Sequence, residues 1–166
     1  LQAFDLFERN GSAQDPPWAH KLRRAAISRF NDLGFPTARR GNEEWKYTDV
    51  RSLARTPFQI FPSSVPAKLT VQDLKRFYFG QSDWNRLVFV DGRYDENLSF
   101  LSPLPTGVKV LNLSEAMMSP DGLLEEHLGH HAEYEANAFT ALNTAFVHDG
   151  AFVYIPDGIE VKEPIL

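Results

Sequence analysis

The run HLGHHAEYE places His127, His130, His131, Glu133 and Glu135 within nine residues. On a helix, His127 and His131 share one face at i, i+4, a spacing that suits zinc. Gly129 interrupts that helix, and no Glu follows the first His as the H-E-x-x-H pattern requires. The cluster therefore reads as a polar loop between two helices, and His127, His130 and His131 are expected to hold no metal. A second group lies in GNEEWKYTDV, where Trp45 and Tyr47 alternate with Glu44, Lys46 and Asp49. Aromatic rings bury large areas and satisfy their polar tips by hydrogen bonds. Trp45 and Tyr47 are accordingly candidates for structural anchors of an irregular segment, or for an interface, where aromatics are enriched.

No nucleophile motif accompanies them. The chain has no G-x-S-x-G elbow, no G-x-x-x-x-G-K-[ST] loop and no G-x-G-x-x-G. With no cysteine it has no thiol nucleophile, no disulfide and no thiolate for an iron–sulfur cluster or a structural zinc. The pairs Glu43-Glu44 and Glu125-Glu126 read as solvated faces. No catalytic residue, cofactor-binding residue or metal ligand is expected.

The elements that would position these residues belong to about one domain's worth of chain, 166 residues. A chain of this length buries roughly 70% of its unfolded surface. The net charge of -5, from 22 acids against 17 bases, argues against a nucleic-acid backbone as the main ligand, because neutralising phosphates takes a basic surface. No apolar run reaches the ~20 residues needed to span a bilayer. The sequence starts without Met and without a leader pattern, so the chain reads as soluble and as cut from a longer protein.

Apolar spacing predicts a helix over 2–9, ended by Asn10-Gly11. Asp15 is expected to cap the next, with Pro16 and Pro17 in its first turn. Trp18, Leu22, Ala26, Phe30 and Leu33 form its apolar stripe, with Arg23, Arg24 and Arg29 off it, and Gly34 and Pro36 end it. From Gly34 to Pro66 the chain, with Pro36, Pro57, Pro62 and Pro66, reads as mostly irregular, apart from a turn of helix capped by Asp49. Thr70 is expected to cap a short helix with Val71, Leu74 and Phe77 inward. Asp91-Gly92 marks a hairpin after an apolar run over 86–90. Val108, Val110 and Leu111 make another strand. Helices are expected after Pro120-Asp121-Gly122, through Leu128, and over 136–146 with Phe139, Leu142 and Phe146 on one face. At the end, Val153 and Ile155 alternate with Phe152 and Tyr154. Pro156-Asp157-Gly158 turns, and Val161 to Ile165 reads as a second strand with no strand after it.

Three blocks resemble one family. GFPTARRGNEEWKYTDVRSL, with its E-x-W-K-Y-T core over 43–48, is similar to the N-terminal signature of the SufD family of SUF iron–sulfur cluster assembly. RLVFVDGRYDENLS resembles the strand and turn that follow there, and ALNTAFVHDGAFVYIPDGIEVKEPIL the start of that family's β-helix. The core block leans to SufD over the related SufB. The resemblance implies an α+β fold: a mixed helical N-terminal region with short strands over 1–148, leading over 149–166 into the first strands of a right-handed parallel β-helix. It implies a non-catalytic scaffold, SufB and SufC as partners of the full-length protein, and an iron–sulfur cluster only at the level of the full complex. A cytoplasmic location follows, or the plastid stroma in a plant. It transfers no functional residue.

On this reading Val153, Ile155, Val161 and Ile165 await the coil that would stack on them. Their edge is a candidate for self-association. Two other classes compete: a carbohydrate-active β-helix enzyme fragment, and a metal-binding module through His127 and His131.

Overall fold

The structure, a computed structural model, describes residues 2–10, 14–38, 43–58, 69–78 and 83–166. Gly11 of the expected helix stop, residues 39–42 of the signature block, and Pro62 and Pro66 lie outside the described residues. The chain is α+β: helices alternate with short strands that pair antiparallel. It divides into two compact units, one built from described residues up to 58 and from 120–147, the other from 69–119 and 148–166.

The first unit is helical. Helix α1 (Gln2–Asn10) carries Phe4 and Phe7 on one face, both buried. Helix α2 (Pro17–Leu33) opens on consecutive prolines, whose fixed φ suits a first turn. Gly34, at φ 64°, ends it and donates its N–H to the Phe30 carbonyl. Helix α7 (Ala138–Ala145) packs along α2; its small residues Ala141 and Ala145 are fully buried, as is Ala26 of α2. The rings of Phe4 and Phe7 close on Phe146 at 5.8 and 5.4 Å between centroids. A 3-10 turn (Glu43–Trp45), α3 (Arg51–Arg55) and α6 (Leu123–His127) complete the unit.

Two expectations about α2 are corrected. Asp15 does not cap it; the cap position is Pro16, and the Asp15 carboxylate instead accepts from the Arg23 guanidinium at 2.5 Å. Arg23 does not lie off the buried face but is 0% exposed. The seam of α2 is centred one residue further on than the stripe read from apolar types alone, on Ala19, Arg23, Ala26 and Ile27, with Trp18, Leu22, Phe30 and Leu33 half-buried at its margins. Arg23 is tolerated inside because its charge is paired. Its Nε also donates to the Val147 carbonyl at 2.7 Å, and its guanidinium lies 5.5 Å from the Phe7 ring centroid.

The second unit holds α4 (Val71–Leu74), a 3-10 turn (Lys75–Phe77), a hairpin of β1 (Phe89–Val90) and β2 (Arg93–Tyr94), then β3 (Lys109–Asn112), α5 (Leu113–Met117) and β4 (Ala151–Tyr154). Thr70 does start α4: the Asp73 carboxylate accepts its N–H at 2.8 Å and its hydroxyl at 2.7 Å. Val71 and Phe77 are exposed rather than inward, and only Leu74 is half-buried. Asp91 and Gly92, at φ 51° and 77°, make the two-residue turn that suits the twist of a tight hairpin. The buried apolar residues of this unit include Leu98, Val110, Leu113, Ala116 and Met117.

The end of the chain differs most from expectation. β4 does not lack a partner: it pairs antiparallel with β3, Val153 opposite Val110. The expected strand at Val161 does not form. Ile165 makes a single parallel bridge, to Asn85. A right-handed parallel β-helix is therefore not seen among the described residues. β4 finds a partner already present upstream, and Pro156 and Pro164 flank the stretch where the next strand was expected.

Candidate functional site

Trp45 sits at the end of the 3-10 turn, half-buried, its ring centroid 5.2 Å from that of Phe139 on α7. Phe139 meets Phe35 at 5.9 Å, and Phe35 meets Phe30 of α2 at 5.1 Å. This row of rings ties the turn to α2 and α7. Beside it lies a small cavity of about 180 Å³ lined by Leu33, Pro36, Glu44, Trp45 and Asn137. Tyr47, two residues on, is 90% exposed, with the Lys46 ammonium 5.4 Å from its ring centroid. The two aromatics that the sequence groups together are thus separated: one faces helices, the other solvent.

Next to them, Asp49 accepts from the Arg51 N–H at 2.9 Å and from its guanidinium at 2.6 to 3.0 Å. The side-chain hydrogen bonds from Arg51 hold the Asp49 carboxyl down at about 2. The cap expected at Asp49 is corrected: the cap position of α3 is Val50, which makes no side-chain capping bond, and Asp49, one residue earlier, reaches past it to the Arg51 N–H. On α1, burial raises the Glu8 carboxyl but is outweighed by hydrogen bonds from His20 and Arg24, both at 2.9 Å, and the net shift is downward. These are structural pairs, each satisfied by its neighbour.

The histidine cluster is split by Gly129, at φ 82°. Helix α6 ends at His127, and His131 lies beyond it. The His127 and His131 rings still stack at 5.8 Å, but among the described residues no group of three His, Asp or Glu side chains gathers as a metal ion would need. A Cβ at residue 129 would come within 2.8 Å of Leu22 Cδ1, so this glycine also lets the loop close on α2.

Four residues were expected at an exposed C-terminal edge. Val153 and Ile155 are both 44% exposed, while Val161 and Ile165 are half-buried. In the pair with β3, Leu111 lies opposite Phe152, and the Leu113 N–H donates to the Gly150 carbonyl at 2.7 Å. The alternation of an antiparallel ladder then turns the N–H and C=O of Ala151 and Val153 to the outer edge. Sequence reasoning missed a second open edge, along Leu87 and Phe89. The run 86–90 was read only as apolar, and with Leu87, Val88, Phe89 and Val90 all apolar the sequence carries no alternation that would mark which edge is open. Among the described helices none is long and apolar enough to cross a membrane.

Comparison with known proteins adds the following. The sequence model of one family, described as the SufBD protein N-terminal region, matches residues 2–166. An iron–sulfur cluster assembly SufBD family protein of Synechocystis is 29% identical over 143 residues, covering 86% of this chain and 30% of that protein. The iron–sulfur cluster assembly protein SufD of Bacillus subtilis is 24% identical over 161 residues, covering 92% of this chain and 35% of its own length. A SufBD family protein of Arabidopsis thaliana is 33% identical over 82 residues, 47% of this chain and 17% of that protein. The chain thus spans about a third of the length of the first two relatives.

Proposed function

Because this chain belongs to the SufBD family, as its N-terminal region, we propose that it is part of a non-catalytic scaffold subunit in iron–sulfur cluster assembly. The observation that carries the reading is the unbroken family match over residues 2–166, joined by relatives named for that process. The side chains agree with a scaffold. The two shortest ion pairs given by the described residues, Arg23 with Asp15 and Arg51 with Asp49, each lie at a helix. On this reading an iron–sulfur cluster belongs to the assembled complex as its cargo, with which a stretch free of cysteine is compatible.

SufB and SufC are the partners this reading assigns to the full-length protein, in the cytoplasm or a plastid stroma. The test is co-purification of the full-length protein and of the 166-residue chain with tagged SufB and SufC. The full-length protein should retain both, and the 166-residue chain should lose SufC. A full-length protein that retains neither overturns the reading. No observation favours the carbohydrate-active or metal-binding alternatives.

A further inference from the structure

Helix α2 ends with its charges the wrong way round. The backbone carbonyls at a helix C-terminus favour a cation beside them. The last turn of α2 holds no basic residue, and it holds the acid Asp32. The cavity of about 180 Å³ begins at this end, on Leu33 and Gly34, and Glu44 adds a carboxylate to its wall. Glu44 is exposed and has no ion pair among the described residues. Cations of the same segments are committed elsewhere. Lys46 reaches the Glu43 carboxylate at 3.4 Å and lies 5.4 Å from the Tyr47 ring centroid, and Arg29 Nε donates to the Glu135 carbonyl at 2.6 Å.

The start of α7 forms another part of the wall and offers little to an anion. Asn137 takes the Phe139 and Thr140 N–H groups on its own side-chain oxygen, at 2.9 and 3.1 Å. The remaining feature is aromatic. Trp45 is half-buried, and its ring both meets Phe139 and lines the cavity. A carboxylate, an indole and the carbonyl end of a helix in one cleft suit a flat cation. A guanidinium stacks on an aromatic face and turns a fork of N–H donors to a carboxylate. Size narrows the ligand further. Cofactor-sized molecules fill clefts of roughly 300 Å³ upward. At about 180 Å³ this one takes a single side chain.

We propose that this cleft is a socket for an arginine side chain presented by a partner protein. Glu44 pairs with the guanidinium, Trp45 stacks with it, and the carbonyl end of α2 adds to its stabilisation. A cation here also relieves the unfavourable placing of Asp32 at a helix C-terminus. Tyr47, two residues from Trp45 and 90% exposed, is open to the same partner. Trp, Tyr and Arg are the residue types that carry most of the energy at protein interfaces. The socket depends on charge and shape alone, whichever process the protein serves.

The test uses the full-length natural polypeptide labelled with fluorotryptophan, its Trp45 fluorine resonance identified by its loss in Trp45→Phe. The probe is N-acetyl-arginine amide, which should move that resonance saturably. The uncharged isostere N-acetyl-citrulline amide should bind about 10-fold more weakly, having lost both the ion pair and the cation–π contact. Glu44→Gln, at an exposed position, should weaken the arginine probe about 3-fold and leave the citrulline probe unchanged. A Trp45 resonance that the arginine probe does not move overturns the proposal, as does a citrulline probe that binds equally well. An undiminished arginine affinity in Glu44→Gln overturns it too. Arg39→Ser combined with Arg40→Ser should leave the affinity unchanged. A marked gain in that variant gives the socket to the chain's own arginines and overturns the proposal as well.

Discussion

At the scale of single residues, type and environment part company most clearly at Trp45 and Tyr47. Trp45 joins the row of rings that ends on α2, so Trp45→Ala should destabilise the chain by about 2–3 kcal/mol, less than the 3–5 of a fully enclosed aromatic because one side of the ring is open. Tyr47→Ala should change stability by no more than about 0.5 kcal/mol. Urea unfolding of both variants checks this, and equal losses would show that Tyr47 is an anchor too. Asp49 gives a pH-dependent case. Its folded carboxyl is depressed to about 2 by the Arg51 hydrogen bonds, against an ordinary 3.8. The stabilisation this supplies is present above the ordinary value and is lost as pH falls from there toward 2. An NMR titration should place the Asp49 midpoint near 2 and, in Arg51→Ala, return it toward 3.8. An unmoved midpoint in the variant would deny Arg51 its role.

At the scale of elements, turns and the position of most helices were legible, while exact caps and strand pairing were not. Caps and turns are readable where their chemistry is confined to three or four residues, as at Thr70 and Asp91-Gly92, whereas Asp15 and Asp49 each stand one residue before the cap position. Helix α5 was missed although Asn112, which accepts the Glu115 N–H at 2.8 Å, was there as its cap; its five residues are too few for an apolar period to show. Arg23 was misplaced because periodicity counts residue types and cannot see a partner distant in sequence. The same blindness hid β3 as the partner of β4, and the Trp45 site was legible only as an aromatic cluster. What β4 retains is its outer edge. The 166-residue chain is expected to pair through that edge at high concentration, and Val153→Lys, at a half-exposed position, to suppress the pairing by charging it. Sedimentation velocity over a concentration series checks this; a monomer throughout the series refutes it.

At the scale of the whole molecule, neither unit is a continuous piece of sequence. The helical unit needs Pro120–Val147, and the strand-bearing unit needs His148–Leu166. A chain stopped after Ser119 lacks α7, the partner of α2, and β4, the partner of β3. Such a chain should show no cooperative thermal transition by circular dichroism. A sharp transition in it would mean that one unit closes without its late segment.

Arg23 and the Val147 carbonyl it holds are 124 positions apart. On a ribosome that distance is a delay, roughly 6–25 s at ordinary elongation speeds. Through that interval α2 has emerged while its acceptor has yet to be made. An aliphatic residue at this position would leave a sticky, uncovered surface for the whole wait. A guanidinium keeps the nascent helix wetted, and gives up its water only when the last turn of the unit arrives to replace it.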